Sequence, residues 1–387
     1  MTDSAKMLAL LAVGWSMLAV SLAQVFPVTA LSLTLGTVVF AECFSALIST
    51  RALPNAPARA RADQDDLAGA LLGWVLLCVL FALLFHLGLI SFFQGQPAAM
   101  LCLLALTLVL VLLKHFAKAH PLARFLQAMR LVVPAALAIV LDRIGGATPG
   151  LFLASLVLSH LVTLLIVVLL ARKPRCPLQP STYVPPLQVL AGHADLLLVP
   201  ILLNGTEALL YIAARGLGIV VTGVLAQLGA RAMPALLAAG QSRNQSKFIT
   251  IAARLNLGFL LVGGSAGIAA LTVGPYVAKV FHLAGADFQA VLLWAVLGAC
   301  APAIFGATEA LLKMIKKRNL LLLSDLVAVG GFTSAILFVP QPDALLLAKC
   351  FAVVQLLKTA ACAVLLVRHA GVWPGLTALL LRQIKLF

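Results

Sequence analysis

The sequence predicts an all-α integral membrane protein: about 12 transmembrane helices in two six-helix lobes around a central cavity, with both termini cytoplasmic. Three observations predict it. First, 63% of the residues are hydrophobic and only 10% are charged, against roughly 25% charged in soluble domains. No soluble core absorbs that much apolar sequence, whereas a bilayer takes it up as helices of about 20 residues. Second, the apolar runs are apolar all round. The stretch LLGWVLLCVLFALLFHLGLI lacks the alternation of a membrane β-strand, whose successive side chains face lipid and lumen. Third, the basic residues fall on one side of the helix ladder, as cytoplasmic loops demand.

Taken in order, the spans run over 7–24, 28–49, 68–92, 97–113, 125–141, 150–171, 186–203, 208–230, 248–272, 288–312, 319–339 and 344–367. Spans one and two nearly merge at Gln24–Pro27. The loop after span two carries Arg51, Arg59 and Arg61, and the one after span four carries Lys114, Lys118 and Arg124. Span six is followed by Arg172, Lys173 and Arg175, and span eight by Arg231, Arg243 and Lys247. Lys313, Lys316, Lys317 and Arg318 follow span ten. With Lys6, Arg368, Arg382 and Lys385 at the ends, 20 Lys/Arg lie on one side, and only Arg143 and Lys279 lie in the opposite loops. A missing or extra helix would invert every later loop and scramble this split. The Pro-rich stretch KPRCPLQPSTYVPP falls between spans six and seven. It divides the chain into an N-terminal lobe over 1–180 and a C-terminal lobe over 181–387, related by an axis along the membrane normal. The C-terminal 374–387 stretch reads as a short amphipathic helix or a frayed tail.

Charge and motifs narrow the function. A net charge of +15 would suggest nucleic acid in a soluble protein; here the cytoplasmic loops account for it, and no nucleic-acid partner is expected. There is no nucleophile elbow, P-loop or HExxH, so no catalytic residue is assigned and the chain is not read as an enzyme. The seven cysteines are scattered, without CxxC or a His/Cys pair at metal spacing. They read as small packing residues, and neither a metal nor a cofactor is expected.

The evidence about function therefore lies in polar residues within the spans. A charge at a bilayer centre costs roughly 2.5–3.5 kcal/mol on insertion scales, so such groups line cavities or find partners. Glu207, Tyr211 and Arg215 recur at i, i+4 and i+8 and share one helix face. Asp195 lies in the preceding span, where a salt bridge to Arg215 would account for it. Arg215 and Lys358 lie about eight residues in, or about 12 Å at the helical rise, and read as cavity-facing. Arg130, Arg254 and Lys349 are shallower and within snorkelling reach, so an interface anchor and a substrate contact both account for them. Among the acids, Glu309 pairs on paper with Lys313 at i,i+4, and Asp325 has Lys317 and Arg318 nearby. Glu42 is the only acid within the first lobe's apolar spans, and it joins Asp195 as a candidate for coupling to H+ or Na+. The surplus of cations fits an anionic substrate or head group such as a pyrophosphate. The substrate-binding candidates are thus Arg215, Asp195, Tyr211, Glu207, Lys358, Arg130 and Arg254.

The segment starting at Asp195 (DLLLV), followed by Gly205-Thr206-Glu207, Tyr211 (YIAA), Arg215 (RGL) and Arg231-Ala232-Met233-Pro234, resembles the opening of the second lobe of polysaccharide flippases. These belong to the multidrug/oligosaccharidyl-lipid/polysaccharide exporter superfamily. The similarity spans residues 185–320 and continues through Phe281–Asp287 and Gly306–Lys317. The resemblance implies a two-lobed, alternating-access exporter in a bacterial inner membrane. Its substrate would be an undecaprenyl-pyrophosphate-linked oligosaccharide, moved from the cytoplasmic to the periplasmic leaflet, with the lipid bilayer and that lipid-linked oligosaccharide as its partners. Oligomeric state is not assigned. One alternative is a drug or metabolite exporter of the same or a major-facilitator-like fold, although the loop STRALPNAPARARADQDD lacks the signature of the latter. A second is an integral-membrane glycosyltransferase or ligase, which would carry a large outer loop where these are short.

Overall fold

A computed structural model describes residues 17–48, 59–88, 96–116, 130–143, 148–171, 186–203, 205–241, 245–314 and 317–370, with a few positions between them. The start of span one, the Pro-rich stretch over 173–185 and the C-terminal 374–387 segment lie outside the described residues. Residues 17–25 are helical. The helices that follow are α1 (Val28–Ile48), α2 (Arg59–His86), α3 (Pro97–Phe116), α4 (Val132–Arg143), α5 (Pro149–Ala171), α6 (Pro186–Leu202) and α7 (Gly205–Gln241). Then come α8 (Gln245–Val280), α9 (Gly285–Ala299), α10 (Ala301–Phe305), α11 (Thr308–Met314), α12 (Arg318–Leu337) and α13 (Ala344–Ala370). Among the described residues, eight helices are long and apolar enough to cross a membrane, within α1, α2, α3, α5, α7, α8, α12 and α13; the apolar parts of α6 and α9 are shorter.

The helix ladder follows the sequence in outline, with several differences. α2 starts at Arg59 and ends at His86, taking in Arg59 and Arg61 that were expected in a loop, and α8 runs on to Val280, past Lys279. Span eight was expected to end at residue 230, with Arg231 in a loop. Instead α7 runs through Arg231 and Pro234 to Gln241, a helix of 37 residues. Its sequence beyond residue 230, RAMPALLAAGQ, is rich in Ala and Leu, which favour the helix enough to absorb one proline. At about 1.5 Å per residue α7 is about 55 Å long, well beyond the roughly 30 Å hydrocarbon core of a bilayer. Span ten was expected as one helix over 288–312, yet it is α9, α10 and α11 in succession. Pro302 begins α10 without an N–H to give, and Gly306 follows at φ 82°, where a side chain would be strained. Asn256 on α8 covers the gap, its Oδ1 accepting a hydrogen bond from the Ala307 amide at 3.4 Å.

The chain forms two compact units. One comprises Met1–Ile212 with Val280–His282; the other comprises Ala213–Lys279 with Leu283–Phe387. In the first unit α1 is the central helix, packed against α3, α5 and α6. Its Leu31, Leu35, Val38, Phe40 and Phe44 are buried, as are Leu103, Leu106, Leu110 and Leu113 of α3. Phe40 meets Phe92 edge-on at 5.1 Å, and a side chain at Gly36 would collide with the Phe92 ring. Polar ties join the helices where hydrocarbon offers no water to compete. Trp74 Nε1 donates to the Leu104 carbonyl at 2.9 Å, and Ser32 Oγ donates to the Gly205 carbonyl at 2.7 Å. The Phe92 amide donates to the carbonyl of Pro200, near the end of α6, at 3.1 Å. Leu72, Leu76, Val79 and Leu83 of α2 are exposed; at spacings of four, three and four they form one apolar stripe suited to lipid.

In the second unit α13 is central, packed against α9, α12 and the short α10 and α11. Phe288, Leu292 and Ala295 of α9 and Leu347, Ala348, Phe351 and Ala352 of α13 form its core. The two helices come close at Gly298, where a Cβ would fall 2.6 Å from the Phe351 ring and 2.9 Å from the Ala352 Cα. Glycine at that position lets α9 and α13 approach closely, as small residues do in membrane bundles.

Candidate functional site

Among the described residues, three charged groups are each held within one unit. In the first unit, Glu42 projects from α1 between two cations. Arg130, just before α4, donates from Nη2 to Glu42 Oε1. Lys114, in the last turn of α3, lies 3.2 Å from Glu42 Oε2. The Lys114 Nζ also donates to Ser45 Oγ, one turn along α1, at 2.6 Å, and Ser45 Oγ donates to the Glu42 carbonyl at 2.9 Å. The Arg130 side chain is 5% exposed; those of Lys114 and Glu42 are 22% and 18%. Two expectations change here. Lys114, expected in a loop, belongs to α3 and pairs inward. Arg130, within reach of the interface by sequence, is buried against a carboxylate instead of anchored in head groups. Burying an ionised group without a partner is expensive, and a shared carboxylate offsets that cost.

Also in the first unit, α6 and α7 bring Asp195 and Tyr211 together. The Tyr211 hydroxyl donates to Asp195 Oδ2 at 2.6 Å, and both residues are buried. The tight turn between the helices is built on Gly205, at φ 42°. At that length the bond fixes both side chains, so Asp195 is held by a hydroxyl that the sequence placed one helix away. Glu207 lies in the exposed first turn of α7, where a carboxylate complements the helix dipole.

The second unit assembles the inverse of the Glu42 group. Lys358 of α13 extends its ammonium to Glu309 Oε1 of α11 at 2.8 Å and to Asp325 Oδ1 of α12 at 2.7 Å. The lysine side chain is 5% exposed, Asp325 is fully buried, and Glu309 is 36% exposed. Lys358 is a partner for Glu309 and Asp325 that sequence neighbourhood did not suggest; the side chains of Lys313 and Arg318, the expected neighbours, lie outside the described residues.

Arg215 is 2% exposed, and its guanidinium carbon lies 4.0 Å from the centroid of the Phe351 ring. That distance is within cation–π range. One turn on, a Cβ at Gly218 would lie 3.4 Å from Arg215 Nη1, so the glycine leaves room for the guanidinium. Phe351 is the residue that sequence reading missed; nothing in a run of apolar residues marks one phenylalanine as a platform. Arg254 on α8 and Lys349 on α13 are exposed. The structure therefore brings Arg130 to Glu42, Asp195 to Tyr211, and Lys358 to two acids.

No protein-family model matches the sequence, and no curated protein matches it. Solved structures do. The inward-facing conformation of a multidrug resistance MATE family transporter of the MOP superfamily aligns at TM-score 0.50 and 14% identity, covering 91% of this chain and 92% of its own. An outward-facing MATE family multidrug transporter aligns at 0.44 and 16%, covering 93% and 94%. A MOP superfamily transporter from Pyrococcus furiosus aligns at 0.43 and 15%, covering 93% and 92%. At such identities the likeness is one of fold, and the first of the three carries it. This chain has the all-helical fold of that MATE family transporter.

Proposed function

We propose that the chain is a transporter working by alternating access, and that it carries an undecaprenyl-pyrophosphate-linked oligosaccharide from the cytoplasmic to the periplasmic leaflet of a bacterial inner membrane. The observation that carries the reading is Arg215, a guanidinium buried to 2% exposure on the face of an aromatic ring. Stacking fixes the plane of the guanidinium, and a fixed planar fork suits a phosphate. The likeness of residues 185–320 to polysaccharide flippases supports the lipid-linked substrate, and the surplus of membrane cations supports an anionic one. On this reading the chain divides at the Pro-rich stretch into lobes over 1–180 and 181–387. Arg215 contacts the head group, Tyr211 and Asp195 brace the start of the same helix, and H+ or Na+ is the coupling ion.

The second reading is export of a drug or metabolite, favoured by the multidrug transporter whose fold the chain shares. A strain lacking the protein separates the two. On the first reading it accumulates lipid-linked oligosaccharide, and wild-type protein clears it. Arg215→Gln inserts normally, since it removes a buried charge, yet leaves the oligosaccharide uncleared. Arg215→Lys also fails, because an ammonium cannot present the bidentate fork. Clearance by well-expressed Arg215→Gln overturns the head-group role. No accumulation in the deleted strain, with increased drug sensitivity, moves the assignment to the second reading.

A further inference from the structure

We propose that Lys358 is a tethered counter-cation. Its ammonium sits between Glu309 and Asp325 in the place that a mobile monovalent cation, Na+ or H+, takes in a site built from two carboxylates. The geometry is that of a coordination site. Oxygens from two separate helices, α11 and α12, converge on one nitrogen at 2.8 and 2.7 Å. That nitrogen arrives on a third helix, at the end of a four-carbon stem buried to 5% exposure. Further hard oxygens lie beside both acids in sequence. Thr308, next to Glu309, is buried, and among the described residues its Oγ1 has no hydrogen-bond partner. Ser324, next to Asp325, donates to the Leu321 carbonyl at 2.7 Å and touches Cys362 Sγ at 3.3 Å.

Charge explains why a cation is required there. Asp325 is fully buried, and an ionised carboxylate in a dry interior needs a positive partner or a proton. Glu309 is more than a third exposed and can be hydrated. The ammonium therefore neutralises Asp325, and Glu309 completes its hydrogen bonding. Because it is covalently attached, this cation is present at a high effective concentration whatever the ions in solution. The second unit then needs neither bound Na+ nor protonation of Asp325 to offset that buried charge. Ion coupling then belongs to other groups, such as the half-buried Glu42 and the buried Asp195 of the first unit.

The inference does not rest on the transport reading, and its test reads stability. The full-length protein is purified in detergent and unfolded by heat in sodium, ammonium or N-methylglucamine chloride at equal ionic strength. Wild type should melt at the same temperature in all three. Lys358→Ala should melt lower in N-methylglucamine and recover by several degrees in sodium or ammonium, because a small cation can enter the space the side chain left. Lys358→Ala combined with Asp325→Asn should lose that selectivity. Salt selectivity in wild type, its absence in Lys358→Ala, or its persistence in the double variant each overturns the proposal. Lys358→Met keeps the stem and replaces the alanine variant if the latter does not accumulate. Failure to recover either variant even in sodium- or ammonium-rich buffer also overturns it, since a mobile cation then cannot substitute for the tethered one.

Discussion

Among the described residues, each unit holds one ionic triad, and the two triads have opposite composition. In the first, one acid, Glu42, serves two bases, Arg130 and Lys114. In the second, one base, Lys358, serves two acids, Glu309 and Asp325. Both leave one charge over, positive in the first and negative in the second. In both, a deep pair is matched one to one: Arg130 with Glu42, and Lys358 with Asp325. The most exposed members are Lys114 at 22% and Glu309 at 36%. Burial thus sorts the members by role. The pair of opposite charges can go deep because it is nearly neutral, and the third group stays where water can reach it. The difference in sign teaches which ligand each triad would tolerate, an anion beside Lys114 and a cation beside Glu309.

Substitutions that strand a deep charge should break this comparison most clearly. Glu42→Gln leaves two cations facing each other without a carboxylate. It should cost about 3–5 kcal/mol, the range for removing one partner of a buried pair, seen as a large drop in unfolding temperature and in membrane abundance. Asp325→Asn leaves Lys358 one acid, and about 1.5–3 kcal/mol is expected, the scale of a hydrogen bond to a charge. If Asp325→Asn destabilises as much as Glu42→Gln, the sharing of one cation by two acids does not matter. Phe351→Leu removes the platform under Arg215 and should cost about 0.5–2 kcal/mol of cation–π attraction. Its transport defect should exceed that of Phe351→Tyr, because the tyrosine keeps the ring. The smallest effects belong to the exposed members. Lys114→Met and Glu309→Gln each leave a matched pair behind and should fall near 0–1 kcal/mol. A larger loss at either would show that the odd charge is structural.

The helix ladder was legible because its signals are local. An apolar run and the charges at its ends lie within one short window, so α1, α3, α5 and α13 fall where hydropathy put them. The break in span ten was half legible. Pro302 and Gly306 stand in the sequence, but Gly306 opens the helix only because Asn256, 51 residues earlier, covers the Ala307 amide. The ion partners were illegible for the same reason. Lys114 and Arg130 reach Glu42 across 72 and 88 residues, and i,i+4 reasoning sees no further than one turn. For Glu309 it could not point to Lys358, which the fold brings from 49 residues away in sequence. Asp195 and Tyr211 were both named as site residues, yet their mutual hydrogen bond depends on how the Gly205 turn folds α6 back onto α7.

The open joint at Gly306 also has a signature in time. Amides inside a long apolar helix are closed to solvent deuterium twice over, by their i→i−4 bonds and by the absence of water. The Ala307 amide is held only by a side-chain oxygen at 3.4 Å, a bond that can open without unwinding a turn. In a deuterium-exchange time course, the peptide spanning residues 300–312 should take up label ahead of those covering the middle of α9 and α13. Asn256→Leu should bring that uptake forward further while leaving α13 unchanged.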